Sequence, residues 1–484
     1  MTPSRPLSPQ IAERPGTLRF STPARLAVVA VLAMAAIVLG SVLLPRYDGA
    51  PPTSDGSATA SATAAPTTQS LEPSPTLTPS LTTAPTPLPT PAPPAVWTAL
   101  TWSEPVTPSF VVHLNDLLPW GDGYVAAGSV PVGAGRSQAA FLTSPDGLNW
   151  TLTYQIDPVG ERYPQHLVAY GDSLFAFSPR ARDDVEIIVP SRSYSGPLMW
   201  TSTDGTEWTL VDSPSWEEGW RGARQHVGAL PPGWDPTQYP IVTGLVDVAS
   251  GPDGMVAIGN SFTNGGLSPI LLHSVDGETW SKVSLPASVS PLLNEVVRYD
   301  GVFVLVGATD IGADPSTATP AAWFSRDGTS WIRATVNVDE TLFPEGSEGI
   351  GYEMGAVAAG ADGLVGWWGP RRMVIGVPRF LGEWTSADGQ TWQPRDVNTY
   401  PPYYSGHVAG DGVRMVALPD TYHRDTGQWS PIDRAWISTD GAIWQPLTLS
   451  ADMPDQHEAL WVVPDGVIYA GVRSFWFGVA QVAE

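Results

Sequence analysis

The chain has 484 residues, among them 50 Pro, 48 Gly and 21 Trp, and no Cys. That composition suits many short strands joined by tight turns, and the missing thiols exclude disulfides, thiolate metal sites, Cys nucleophiles and a lipidated N-terminal Cys. A formal net charge of −24 repels nucleic acid and anionic lipid surfaces, so neither is an expected partner.

In chain order, residues 1–25 form a basic tail in which Arg5, Arg14, Arg19 and Arg25 face only Glu13. Leu26 to Leu44 follows without a charge. As a helix it would be roughly 28 Å long, close to the ~30 Å hydrocarbon core, so residues 26–44 read as a transmembrane segment. The positive-inside rule puts the N-terminus in the cytoplasm and the rest outside, a single-pass cell-membrane protein. The apolar stretch exceeds the ~7–15 residues of a cleaved signal peptide, so an uncleaved anchor is expected. Residues 45–95 are nearly all Pro, Thr, Ser and Ala. They have little to bury and read as a disordered stalk, which in polyproline II form reaches on the order of 140 Å.

Residues 96–484 carry a repeat. Six stretches share Ser-x-Asp-Gly-x-x-Trp, with Asp146 and Trp150, Asp204 and Trp208, Asp276 and Trp280, Asp327 and Trp331, Asp388 and Trp392, and Asp440 and Trp444. The spacing suits one four-stranded propeller blade per repeat. An earlier turn precedes each, such as Gly121-Asp122-Gly123 or Tyr299-Asp300-Gly301, and a seventh, Pro464-Asp465-Gly466, follows the last. Asp-Gly is a strong hairpin signal because Gly accepts positive φ. The seventh unit stops after Phe475-Trp-Phe-Gly-Val-Ala, whereas Val96-Trp97-Thr-Ala-Leu resembles a fourth strand. The sequence therefore predicts an all-β, seven-bladed β-propeller closed by an N-terminal strand. Trp200, Trp323, Trp384 and Trp436, each two residues before the repeat serine, are expected between blades with the repeat tryptophans.

These repeats resemble the Asp-box of sialidases and related propellers, whose pattern is Ser-x-Asp-x-Gly-x-Thr-Trp. Here the residue between Asp and Gly is missing from all six copies, and Thr before Trp survives only at Thr279 and Thr391. The resemblance implies a structural turn remote from the ligand face, with the six aspartates capping their own turns and no catalytic role. A sialidase-like exo-glycoside hydrolase would also require three arginines, a Tyr/Glu nucleophile pair and an acidic proton donor. No arginine lies between Val96 and Gly135, and no Phe-Arg-Ile-Pro-like motif occurs.

Function is expected on the face opposite the tight turns, where the loops are long. The candidate ligand-binding residues are Trp216, Trp220, Arg221, Arg224, Trp234, Arg371, Arg372, Tyr403, Tyr404 and Arg424, because aromatics beside arginines suit carbohydrate stacking or protein hot spots. The histidines show no metal-ligand spacing and no Gly-rich phosphate loop follows a strand, so neither metal nor cofactor is expected. The leading expectation is a non-enzymatic recognition or scaffold module for an extracytoplasmic glycan or protein. A sialidase-like hydrolase and a structural or assembly-factor propeller are the alternatives.

Overall fold

The computed structural model describes residues 96–482, except 109, 111, 134–135, 156–162, 180–186, 190–191, 195, 221–243, 264–265, 287–290, 310–317, 339–350, 371–381, 396–406, 419–421, 424–427, 430–434, 450–458 and 472–473. The predicted tail, span and stalk lie outside these residues. Among the described residues no helix is long and apolar enough to cross a membrane.

The fold is all-β. Sheet A joins His113–Trp120, Gly123–Gly133, Arg136–Ser144 and Thr151–Gln155; sheet B joins His166–Tyr170, Ser173–Phe177, Met199–Ser202 and Thr209–Leu210. Sheet C joins Gly244–Gly251, Gly254–Thr263, Gly266–Ser274 and Ser281–Lys282; sheet D joins Leu292–Tyr299, Val302–Thr309, Thr319–Ser325 and Ile332–Arg333. Sheet E joins Tyr352–Ala359, Leu364–Pro370, Gly382–Ser386 and Thr391–Pro394, with Thr335–Val336 added in parallel at its far edge. In each, every strand pairs antiparallel with the next, so the polypeptide runs outward as a meander.

Sheet F has eight strands in two halves. One half is His407–Gly410, Met415–Leu418, Ala435–Ser438 and Gln445–Leu449; the other is Ala459–Val463, Gly466–Ala470, Phe475–Val482 and the N-terminal Trp97–Trp102. Trp97–Trp102 pairs antiparallel with Phe475–Val482, as a fourth strand does. It also pairs parallel with Gln445–Leu449 through Ala99 and Leu100, a seam that the repeat pattern does not announce.

Apolar clusters join each sheet to the next. Val125, Phe141, Trp200 and Trp208 bind A to B; Phe177, Trp216, Trp220 and Trp280 bind B to C; Val256, Leu293, Trp323 and Trp331 bind C to D. Val304, Met354, Trp384 and Trp392 bind D to E, and Val365, Trp367, Trp436 and Trp444 bind E to F. The last strands of F then pack on A, with Ile468, Phe475 and Phe477 against Leu114, Leu142 and Trp150. The succession of sheets thus returns to its start, a propeller-like ring.

Three local details differ from the sequence reading. In the turn Trp120-Gly121-Asp122-Gly123 the central pair is Gly121-Asp122, with Gly121 at φ 58°; Asp and Gly share the centre at Asp300-Gly301, where φ is 41° and 72°. Two of the long loops expected opposite the tight turns, 178–198 and 418–434, each contain a hairpin: Ile187–Val189 with Arg192–Tyr194, and Tyr422–His423 with Gln428–Trp429. A short helix, Pro214–Trp220, opens the segment after sheet B. Ser213 caps it, accepting the Trp216 N–H at 3.2 Å, and Pro214 supplies a pre-set φ at its first position.

Candidate functional site

The repeat turns close on themselves. In Ser144-Pro-Asp-Gly-Leu-Asn-Trp150, Ser144 Oγ donates to Asp146 Oδ1 at 3.1 Å and accepts the Gly147 N–H at 2.9 Å. Asp146 Oδ1 accepts the N–H groups of Leu148 and Asn149 at 2.9 and 2.8 Å, and Trp150 Nε1 donates to the Gly147 carbonyl at 3.0 Å. The aspartate and indole contacts recur at Asp204 with Trp208, Asp276 with Trp280, Asp327 with Trp331, Asp388 with Trp392 and Asp440 with Trp444. The glycine at each turn holds a left-handed φ of 71° to 78°, which Gly alone adopts without strain. Its bare Cα faces a side chain of the preceding sheet: Ile468 for Gly147, Val125 for Gly205, Phe175 for Gly277 and Val304 for Gly389. These turns are structural clasps between neighbours.

The aromatic candidates resolve differently. Trp216 and Trp220 are 2% and 3% exposed and do not form a surface, contrary to the expectation from sequence. Trp216 packs 4.8 Å from Trp280 and 5.4 Å from Phe177, and its Nε1 donates to the Pro197 carbonyl at 2.8 Å. The reason is a gap. Sheets B, D, E and F carry Trp200, Trp323, Trp384 and Trp436 two residues before the repeat serine, whereas sheets A and C have Leu142 and Leu272 there. The helix seats Gly219 on Leu272 and fills that space with its two indoles. Arg221, Arg224, Trp234, Arg371, Arg372, Tyr403, Tyr404 and Arg424 lie outside the described residues.

What the sequence reading missed lies on the first strands. In sheets A, C, D and E this strand bulges at one level, just before Asp116, Asp247, Glu295 and Ala356 respectively. Counting back four residues from the pair that closes the first hairpin finds the same level: Asp116 before Trp120, His166 before Tyr170, Asp247 before Gly251 and Glu295 before Tyr299. His407 and Ala459 hold it in sheet F, counting from Asp411 and Val463.

In sheets A to D the side chains at this level bridge to the next sheet. Asp116 accepts the Leu117 N–H and, across the joint, the Leu167 N–H, each at 2.7 Å. His166 Nδ1 lies 3.2 Å from Asp247 Oδ1. Asp247 accepts the Val296 N–H of sheet D at 2.9 Å, and Glu295 Oε2 accepts the Val357 N–H of sheet E at 2.8 Å. Asn115 and Asn294, at the bulges, donate to the carbonyls of Pro164 and Met354.

All four groups are half-buried, and burial enters the balance at three of them. Burial is the largest influence on Asp116; with the nearby Asp247 charge it outweighs the amide donors and His166 and raises the carboxyl to about 6. Burial and the Asp247 charge push Glu295 well above the carboxylate range against its single amide donor. Burial works against the His166 cation, but the hydrogen bond and charge of Asp247, with Asp116, outweigh it and raise the imidazole. Glu295 therefore holds its proton well beyond the range of an ordinary carboxyl, and its neighbours favour the charged form of His166. His166 Nε2 and Glu295 Oε1 make no hydrogen bond to a described residue. Among the described residues no group of three His, Cys, Asp or Glu is arranged to hold a metal ion.

No protein-family model matches the chain, and no curated protein is similar to it. Among solved structures it is similar to the β-propeller domain of the trilobed protease from Pyrococcus furiosus, at 8% identity and a TM-score of 0.40 over 74% of this chain and 91% of that one. It is also similar to the α-L-arabinofuranosidase Arb93A of Fusarium graminearum, at 12% identity and 0.38 over 80% and 98%. A third likeness is to the α-L-arabinanase of Penicillium chrysogenum, at 12% and 0.37 over 81% and 99%. Likenesses this loose carry no activity across.

Proposed function

We propose that this chain is a seven-bladed propeller of the Asp-box kind, its ring closed by Trp97–Trp102. Anchored by residues 26–44 and carried outside the cell on the stalk, it recognises a glycan or protein ligand without covalent chemistry. The observation that supports a recognition scaffold over an enzyme is the fixing of the central carboxylates. Asp116 and Asp247 each spend both oxygens on backbone amides or His166, and Glu295 holds the next sheet through Val357. Groups so occupied serve as a rigid frame between neighbouring sheets rather than as a nucleophile.

A second reading has one observation in its favour. Glu295 has its proton affinity raised by burial, has an oxygen outside any described hydrogen bond, and belongs to the same line as Asp247. A proton-holding acid near a carboxylate is the pairing that glycoside hydrolysis uses. One experiment separates the two. The full chain in detergent is applied to a glycan array and assayed with aryl glycosides. Retention of a defined glycan set with no turnover is the expected result; turnover abolished by Glu295→Gln would establish the hydrolase instead. Protease protection in sealed vesicles tests the topology, with cleavage of the propeller only from outside as the expected outcome.

A further inference from the structure

Three carboxylates and one imidazole stand at one level of four consecutive first strands, and each reaches across a joint between sheets. Their charges do not balance at every pH. With all four deprotonated the line carries three negative charges and no cation. With Asp116, Glu295 and His166 protonated it is neutral, Asp247 against the imidazolium. The other ionisable groups on the strands packed around it do not supply a fixed cation. Those groups are His113 and Tyr124 of sheet A, Tyr170 of sheet B, Tyr299 of sheet D, and Tyr352 and Glu353 of sheet E. Arg298 lies nearer the turn end of its strand, paired with Asp253 at 3.3 Å and stacked 4.4 Å over Phe303.

We propose that this line is a proton-operated joint: proton uptake at the centre tightens the ring across sheets A to E, and proton loss as pH rises loosens it. The joint works whatever the ring binds, and its test needs no ligand. The direction follows from linkage. Asp116, Glu295 and His166 all have folded values above their unfolded ones of 3.8, 4.5 and 6.5. The closed ring therefore holds protons that an opened ring releases. The stabilisation each proton gives is complete below the unfolded value and is lost as pH rises through the folded one. For Asp116 that window runs from about 4 to about 6; for His166 it lies above 6.5. Breaking one joint frees an amide, so opening is visible at the Leu167, Val296 and Val357 N–H groups.

The test is thermal unfolding of the full chain at pH 5 and pH 8, with hydrogen exchange at those three amides corrected for intrinsic rate. Wild type should melt several degrees higher at pH 5, and the three amides should be better protected there. Glu295→Gln and Asp116→Asn imitate the protonated side chains, so each should raise the pH 8 value towards that at pH 5. Glu207→Gln removes an equal charge from the exposed rim and should leave the difference intact. Equal melting at the two pH values, or a difference that Glu207→Gln reduces as much as Glu295→Gln does, overturns the proposal. Should the central variants fail to fold, wild-type exchange still decides: equal protection at both pH values refutes the joint.

Discussion

Asp204 on the rim and Asp116 at the centre each accept two backbone N–H groups, yet their acidities move in opposite directions. Asp204 takes the amides of Thr206 and Glu207 at 2.8 and 2.9 Å, and those bonds hold its carboxyl below the usual range. Asp116 takes Leu117 and Leu167 at 2.7 Å and rises to about 6. Equal donors do not give equal pKa values. Asp204 keeps its water, while Asp116 is half-buried and near the Asp247 charge, and desolvation with like charge outweighs two good hydrogen bonds. The contrast is also one of range. The rim aspartate bonds within its own turn, two and three residues on, whereas the central one reaches 51 residues to the next sheet.

The strongest way to break this comparison is to open the ring. The N-terminal strand holds Phe475–Val482 on one side and Gln445–Leu449 on the other. A chain of residues 96–484 should unfold cooperatively, while residues 105–484, lacking Val96 to Glu104, should show no cooperative transition because two edges lose their partner. If the shorter chain melts like the longer one, the closure is wrong and the central joints cannot belong to a ring.

Next in size is the loss of an inter-sheet indole. Trp392 is fully buried and donates to the Gly389 carbonyl at 3.1 Å, so Trp392→Ala should cost about 3–5 kcal/mol in urea unfolding. Trp220→Ala should cost a comparable amount, since the helix indoles take over the space above Leu272. A loss below ~1 kcal/mol at Trp220 would return that residue to the surface role that its arginine-rich neighbourhood suggested.

These positions explain what was legible in the sequence. Trp392 and the closing Trp97 sit in a repeat, and a repeat constrains its members through one shared geometry. Trp216 and Trp220 stand outside it, and aromatic residues beside Arg221 and Arg224 look the same whether they face a ligand or plug a hole. Part of the sign was present: Leu272 stands where four of the six repeats have tryptophan, but so does Leu142 before Ser144, where no such helix follows. The central line was also written out, as Leu114-Asn-Asp-Leu117, Leu245-Val-Asp-Val248 and Leu293-Asn-Glu-Val296. An acid inside an apolar strand costs free energy unless it has a partner. Its partner here is an amide of the following sheet, and no local pattern reveals a bond that spans some fifty residues.

The smallest expected effect sharpens the comparison most directly. Asp204→Asn keeps a side-chain carbonyl where Thr206 and Glu207 donate, but replaces charged acceptors with a neutral one. The loss should be under ~1 kcal/mol, within the lower range for turn and cap substitutions. Its dependence on pH is the informative part. A carboxyl lowered in the folded state gives stability above its unfolded value of 3.8, which is lost as pH falls further. Between pH 5 and pH 8 both the folded and the unfolded carboxyl are ionised, so the cost of Asp204→Asn should be constant across that interval. Only below pH 4 should wild type and variant converge. Glu295→Gln should do the reverse, changing stability at pH 8 and little at pH 5. Melting curves of the two variants at pH 3, 5 and 8 read both behaviours in one series. If Asp204→Asn instead altered the difference between pH 5 and pH 8, the rim turns would share the proton dependence assigned to the centre, and the distinction between the two regions would fail.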